Sequence, residues 1–403
     1  MNVILSILLW ASVGGILYTY LVYPIVAWVL ASLRGRPVST STGSTVPRVS
    51  VVISAFNEEA VLRGKLANLA SLEYDEDRIE FLIGSDGSTD GTSDVLAASD
   101  LHGLRVFHFA ERRGKSAVLN DLLQRATGEI VVFSDANTMY DRRTVRRLVG
   151  HFADPAVGGV CGELLLGSSP DTAAGKGETS YWEYETKLKK WESAYGSIVG
   201  ATGGVYAIRT SLFRPLPTHK PVVDDLLTPL GVVRQGFRMI YEPAALAYEE
   251  ASGSIGVEFR RRARIGAQIL SGLPEIADLL NPLRGTIALA LWSHKILRWA
   301  VPLMGATLVV TSLLLAPVSP LAGLIGVLVW FFLGFAALGG AAEVLGVRSG
   351  VLGFPFYLVA MNVALTVGYV KCISGRQRTT WVVDRTPGTE TGEGVTRSMT
   401  PDR

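Results

Sequence analysis

The stretch "VVFSDANTMYD" (Val131–Asp141) decides the fold. Four apolar or small residues run into Asp135, and an amide, Asn137, stands two positions later. A buried strand that ends in an acid, a small residue and an amide is aimed at something polar. The segments before it repeat the theme. "RVSVVIS" (48–54) is a continuous β-rich run, a helical pattern extends from Glu58 to Leu72, and "IEFLIG" (79–84) is a second strand. A helix near 90–98, a strand at 104–109, a helix at 115–126 and "IVVFS" (130–134) follow. Strands alternating with helices predict an α/β fold with a mostly parallel sheet covered on both faces. Such sheets bind ligands past the carboxyl ends of their strands. The polar residues collect there: Asn57 and Glu58 after the first strand, Asp86 after the second, Asp135 and Asn137 after the fourth.

The bulk numbers locate this sheet in the chain. Among 403 residues there are 38 Lys and Arg against 36 Asp and Glu, a net charge of +2 that argues against a protein coating nucleic acid. Charged residues make up 18% and the mean hydropathy is +0.31, because the two ends are apolar. Residues 3–33 contain no charged side chain, more than the roughly 20 residues a helix needs to cross a bilayer. Arg34 and Arg36 follow, so the run reads as a retained anchor rather than a cleaved signal, with the next segment in the cytoplasm. Runs at 299–318, 321–342 and 351–370 are each long enough to span. Tyr18, Tyr20, Tyr23, Trp28, Trp292 and Trp299 suit interfacial aromatic belts. One span plus three would leave the C-terminus outside, whereas Lys371, Arg376 and Arg378 favour the inside.

The expected organisation is an anchor at 1–36, a linker at 37–47, a cytoplasmic catalytic domain at 48–280, a membrane region of about three hydrophobic segments at 281–374, and a polar, disordered tail at 375–403. That is a multi-pass protein of the cell membrane. The two cysteines, Cys161 and Cys372, form no paired motif, and the five histidines no HExxH, so neither a disulfide framework nor a zinc site is implied.

Two nucleotide signatures fail. No GxGxxG follows the first strand, and "RRGKSA" has Phe109 where a Walker A loop needs its leading glycine. What stands instead is "SAFNEEAVL" (54–62), "SDGSTDGT" (85–92), "RRGKSAVLN" (112–120), "SDANT" (134–138), "VVDDLLT" (222–228) and "RRRAR" (260–264). In this order and spacing, over roughly residues 46–275, they resemble the family 2 glycosyltransferases: inverting enzymes with a GT-A-type fold, here of the membrane-bound branch related to polysaccharide synthases.

The resemblance implies roles, and the chemistry of each position can be weighed beside it. Asn57, Glu58 and Asp86 present amide and carboxylate groups suited to a nucleoside, with Asp86 reading the base; the alternative for "DGSTDG" is plain turn chemistry. Lys115 opens a helix, where an ammonium and the helix N-terminus favour a diphosphate; otherwise it is a solvated lysine. Asp135 and Asn137 occupy the family's DxD metal position and imply Mg²⁺ or Mn²⁺. Asn137 stands for the second acid, so it contributes a weaker contact or only a turn, and an aspartate there should hold the metal at least as well. Asp225 matches the catalytic base and Asp224 an orienting acid, unless the pair serves only to start a helix. Arg262 and Arg264 match the arginines that stabilise the leaving diphosphate, unless they are a basic anchor beside the membrane. Ile265 stands where processive synthases have Trp, which speaks against processivity.

The sequence therefore implies a membrane-anchored transferase. It would move a sugar from a nucleoside-diphosphate donor, a UDP-sugar in first place, to a saccharide or lipid-linked acceptor in cell-surface glycan synthesis. The alternatives are a polyprenyl-phosphate glycosyltransferase and an inactive nucleotide-sugar-binding membrane protein. "GATGGVYAIR" (200–209) reads as an acceptor-side segment or a core strand, and Arg142, Arg143, Arg146 and Arg147 as a solvated helix face.

Overall fold

The computed structural model describes residues 2–36, 46–167, 173–250, 254–347 and 350–377. Most of the expected linker (37–47) and tail (375–403) lies outside the described residues. Eight strands form one sheet: β1 (Val49–Ala55), β2 (Ile79–Asp86), β3 (Leu104–Phe109), β4 (Ile130–Ser134), β5 (Met139–Tyr140), β6 (Val157–Leu166), β7 (Tyr206–Arg209) and β8 (Arg238–Glu249). Their order is β3-β2-β1-β4-β7-β6-β8-β5. Every residue of β1 and β4 is buried, as central strands covered on both faces must be. β1 pairs in parallel with both β2 and β4, and Ile53 lies opposite Ile83 on one side and Ser134 on the other. Those registers bring the ends of three strands level, so the residues that follow them share one edge. The chain runs outward from β1 to β2 and β3, then returns to place β4 on the other side of β1. In open α/β sheets such a reversal marks the ligand crevice. The helices between these strands are α2 (Glu59–Ala70), α3 (Thr92–Ala97) and α4 (Lys115–Leu123), α1 being the first apolar helix (Asn2–Arg34). Beyond β4 the pairing turns mixed, with β7 antiparallel to β4 and β6. The result is an α/β fold with a mostly parallel sheet.

The chain divides into two compact units. The sheet belongs to the one formed by Arg36–Gly167 and Gly196–Glu250, and the other takes Met1–Gly35, Ser168–Tyr195 and Ala251–Gln377. This helical unit holds two helices that the sequence assigns to the catalytic domain 48–280: α6 (Ala173–Tyr195) and α8 (Ile255–Gly272), which alternate in chain order with α5 (Thr144–Gly150) and α7 (Asp224–Arg234) of the sheet unit. Charge pairing explains why α6 stays with the helices. Its Glu185 binds Lys295 at 3.0 Å, Arg298 at 2.7 Å and His294 at 3.1 Å, and its Glu192 takes His294 Nδ1 at 2.7 Å and the Tyr23 hydroxyl at 2.6 Å. Buried charges persist only when paired in this way. Four helices are long and apolar enough to cross a membrane: Asn2–Arg34, Thr286–Leu315, Pro320–Val344 and Gly350–Ile373.

Candidate active site

At the crevice, Lys115 gathers the acids. It is the first residue of α4, and Gly114 before it has φ +92°, a conformation that favours glycine. Lys115 Nζ lies 2.8 Å from Asp135 Oδ1, just past β4, and 3.0 Å from Asp224 Oδ2 in the first turn of α7. Burial opposes its charge, but Asp135 and Asp224 outweigh that and raise the Lys115 pKa above the usual lysine value. Asp224 and Asp225 stand in the first turn of α7, whose N-cap is the apolar Val223, so two negative charges meet the positive end of the helix.

The segment 200–205 closes the other side. Ala201 N–H donates to the Asp225 carbonyl at 2.8 Å, and a Cβ placed on Gly203 would stand 3.1 Å from Asp225 Oδ2 and 3.6 Å from Asp135 Oδ2. Glycine thus leaves a hollow between two carboxylates delivered by different elements. Filling it with Gly203→Val should lower turnover while leaving the melting temperature near that of the parent. A fully active Gly203→Val protein would show that the hollow is not used.

Asp86 is fully buried, and its two oxygens accept the N–H groups of Arg113 and Gly114, each at 2.8 Å. It holds in place the loop that presents Lys115. Asn57, the one non-glycine residue with positive φ (+53°) among the described residues, accepts Thr89 N–H at 2.8 Å through its side chain. Glu58 N–H donates to Thr92 Oγ1 at 2.8 Å. The turn chemistry of "DGSTDG" falls on Asp90, which accepts Thr92 N–H at 3.1 Å, and not on Asp86. One pair escaped the sequence reading: the Arg112 guanidinium carbon lies 3.5 Å from the ring centre of Phe56, a cation–π contact next to Asn57 in sequence.

Asn137 turns aside, its amide donating to Glu249 Oε1 at 2.9 Å. Among the described residues no group of three or more His, Cys, Asp or Glu could hold a metal ion by itself. The Asp135 carboxylate is 36% exposed and borders the Gly203 hollow, which fits a hard cation that takes one or two protein carboxylates and completes its shell with phosphate oxygens. Arg262 and Arg264 lie on α8 in the helical unit, where Arg262 Nε binds Glu258 at 2.7 Å. Sequence reasoning also missed Lys65, which is fully buried on α2 beneath β4.

Residues 50–216 match the family described as "Glycosyl transferase family 2". Among relatives, the "Probable glycosyltransferase YdaM" of Bacillus subtilis is 28% identical over 232 residues, 54% of this chain and 54% of that protein. The "Beta-monoglucosyldiacylglycerol synthase" of a Synechocystis strain is 37% identical over 128 residues, 30% of this chain and 27% of that one. The chain spans about half the length, or less, of these relatives. Among solved structures, "Mannosyltransferase PcManGT from Pyrobaculum calidifontis in complex with GDP-Man and Mn2+" superposes with a TM-score of 0.68 over 93% of this chain and 99% of that chain at 23% identity, a shared fold.

Proposed function

We propose, from the family 2 glycosyltransferase domain that this chain carries on residues 50–216, that it transfers a sugar with inversion from a nucleoside-diphosphate donor to a hydroxyl of a saccharide or lipid-linked acceptor. The observation that carries this reading is Lys115 held between Asp135 and Asp224, with Asp225 across the Gly203 hollow, at the carboxyl edge of β1 and β4. An ammonium at a helix start attracts a diphosphate. A carboxylate across the hollow can take the acceptor's proton. In the proposed step the acceptor oxygen bonds to C1 of the sugar, the bond from C1 to the diphosphate oxygen breaks, and the acceptor proton passes to Asp225. Lys115 takes up charge developing on the diphosphate. A divalent cation at Asp135, when bound, supplies further neutralisation of that charge. Arg262 and Arg264 enter the proposal on their motif alone. Phe56 and Arg112 supply a flat surface suited to a nucleobase, uracil in first place.

The four apolar helices support action at a membrane, and Arg34 and Arg36 after the first of them support a cytoplasmic active site. The likeness to the beta-monoglucosyldiacylglycerol synthase of Synechocystis supports a lipid acceptor. The test is a panel of UDP- and GDP-sugars offered to the purified protein with membrane extract and Mn²⁺. Sugar incorporation into lipid or glycan, with the anomeric configuration inverted, is expected. A product that is a polyprenyl-phosphate sugar would move the acceptor from hydroxyl to phosphate, and no transfer or donor hydrolysis from any donor would leave a nucleotide-binding protein without catalysis.

A further inference from the structure

The core-facing side of α2 reads Leu62, Lys65, Leu66, Leu69: three leucines and one lysine, all buried, with Lys65 at 0% exposure. A lysine at a core position costs desolvation, and an apolar side chain of the same length would fill the space without it. Packing therefore does not explain Lys65; its partners do. Lys65 Nζ donates to Ser134 Oγ at 2.8 Å and to the carbonyl of Thr138, and it sits 4.4 Å from the centre of the Tyr140 ring. Ser134 and Thr138 stand on either side of Asp135. One turn along the same helix, Asn68 exchanges two hydrogen bonds, each 2.8 Å, with the backbone of Tyr140. The Tyr140 hydroxyl continues to the carbonyls of Phe133 (3.0 Å) and Gly204 (2.9 Å), next to the Gly203 hollow. The turn that carries Asp135 is thus fastened by Lys65 and Asn68 of one helix.

We propose that Lys65 is a positioning residue for Asp135: by clasping the chain on both sides of that carboxylate, it fixes the direction in which Asp135 meets a cation–diphosphate donor. The inference rests on the donor reading given above. The clasp needs two N–H donors, which the amine has in either protonation state. Burial holds the Lys65 amine down at about 7, with the Asp135 carboxylate pulling the other way. Partners that orient a metal ligand from behind are generally worth about 10- to 100-fold in metal affinity or activity.

The test uses the full chain in detergent and measures Mn²⁺-dependent binding of UDP and of GDP by titration calorimetry, beside the melting temperature and the KM and kcat for the donor sugar. Lys65→Met fills the same space without the donors. It should fold, bind the nucleoside diphosphate about 10- to 100-fold more weakly, and raise the donor KM more than it lowers kcat. Ser134→Ala, which removes one of the two bonds, should show a smaller loss in the same direction. A folded Lys65→Met protein that binds nucleotide and Mn²⁺ as the parent does, or more tightly, overturns the inference. Should Lys65→Met fail to fold, Ser134→Ala decides it, and parent-like binding there is likewise contrary. If the parent itself binds neither UDP nor GDP with Mn²⁺, the donor reading falls and the inference with it, an outcome distinct from parental binding that Lys65→Met leaves unchanged.

Discussion

Asp135→Ala should reduce divalent-dependent turnover of the donor to background. Asp135 stands past the end of β4, its Oδ1 bound to Lys115 and its Oδ2 bordering the Gly203 hollow. The substitution removes the carboxylate that would meet a cation and releases Lys115 from one of its two acids. Charge stabilisation by a metal is worth several kcal/mol in the transition state. At about 1.36 kcal/mol per tenfold, that is on the order of 100- to 1,000-fold or more. The measurement is donor hydrolysis and transfer against Mn²⁺ concentration. Parent-like rates in Asp135→Ala would remove Asp135 from the metal role.

The neighbouring Asn137 has surroundings that lead to a different expectation from its motif. Read as half of a DxD motif, Asn137 invites replacement by aspartate as a gain for the metal. In the structure its amide donates to Glu249, so Asn137→Asp would set two carboxylates at hydrogen-bonding distance. Like charges so close disfavour joint ionisation. Asn137→Asp should therefore lose activity, and Asn137→Asp with Glu249→Gln should recover it, because the glutamine restores a donor. Activity in the single variant at or above that of the parent would favour the direct metal role.

The first half of the sheet was legible because β1, β2 and β4 are continuous apolar runs that end in polar residues, and because helices of ordinary period separate them. The second half was not. β6 carries Gly158, Gly159 and Gly162, which weaken a strand pattern, and β8 carries Pro243 and a register shift against β6. "GATGGVYAIR" is divided: its end is the core strand β7, while Ala201 and Gly203 border the acids. The assignment of α6 to the helical unit depends on Glu185 and Glu192 meeting His294, more than 100 residues away, a pairing no local pattern encodes. Lys65 was concealed because a lysine in a helix reads as a surface residue. Its signal is positional, since it interrupts the leucine stripe of α2.

Asp224 and Asp225 adjoin in sequence, yet the structure gives them different neighbours, and kinetics should separate their proposed tasks. Asp224 binds Lys115 at 3.0 Å, so it belongs with the group that would hold the diphosphate. Asp225 Oδ2 faces the Gly203 hollow, where an acceptor hydroxyl has room to approach. Asp225→Asn keeps the shape and removes the basicity. General base catalysis contributes about a hundred- to ten-thousand-fold, so kcat for transfer should fall by roughly that factor while binding of the nucleoside diphosphate changes little. Asp224→Asn should instead loosen Lys115, raising the donor KM and weakening nucleotide binding, with a smaller effect on kcat. An interaction made in ground and transition states alike shows in KM, and one made only in the transition state shows in kcat. The decisive measurement is transfer rate and nucleotide affinity on the same preparations of both variants. If Asp225→Asn transfers sugar at near the parental rate, the base is not Asp225, and an acceptor that is already an anion, such as a phosphate, becomes the better reading because it has no proton to give up.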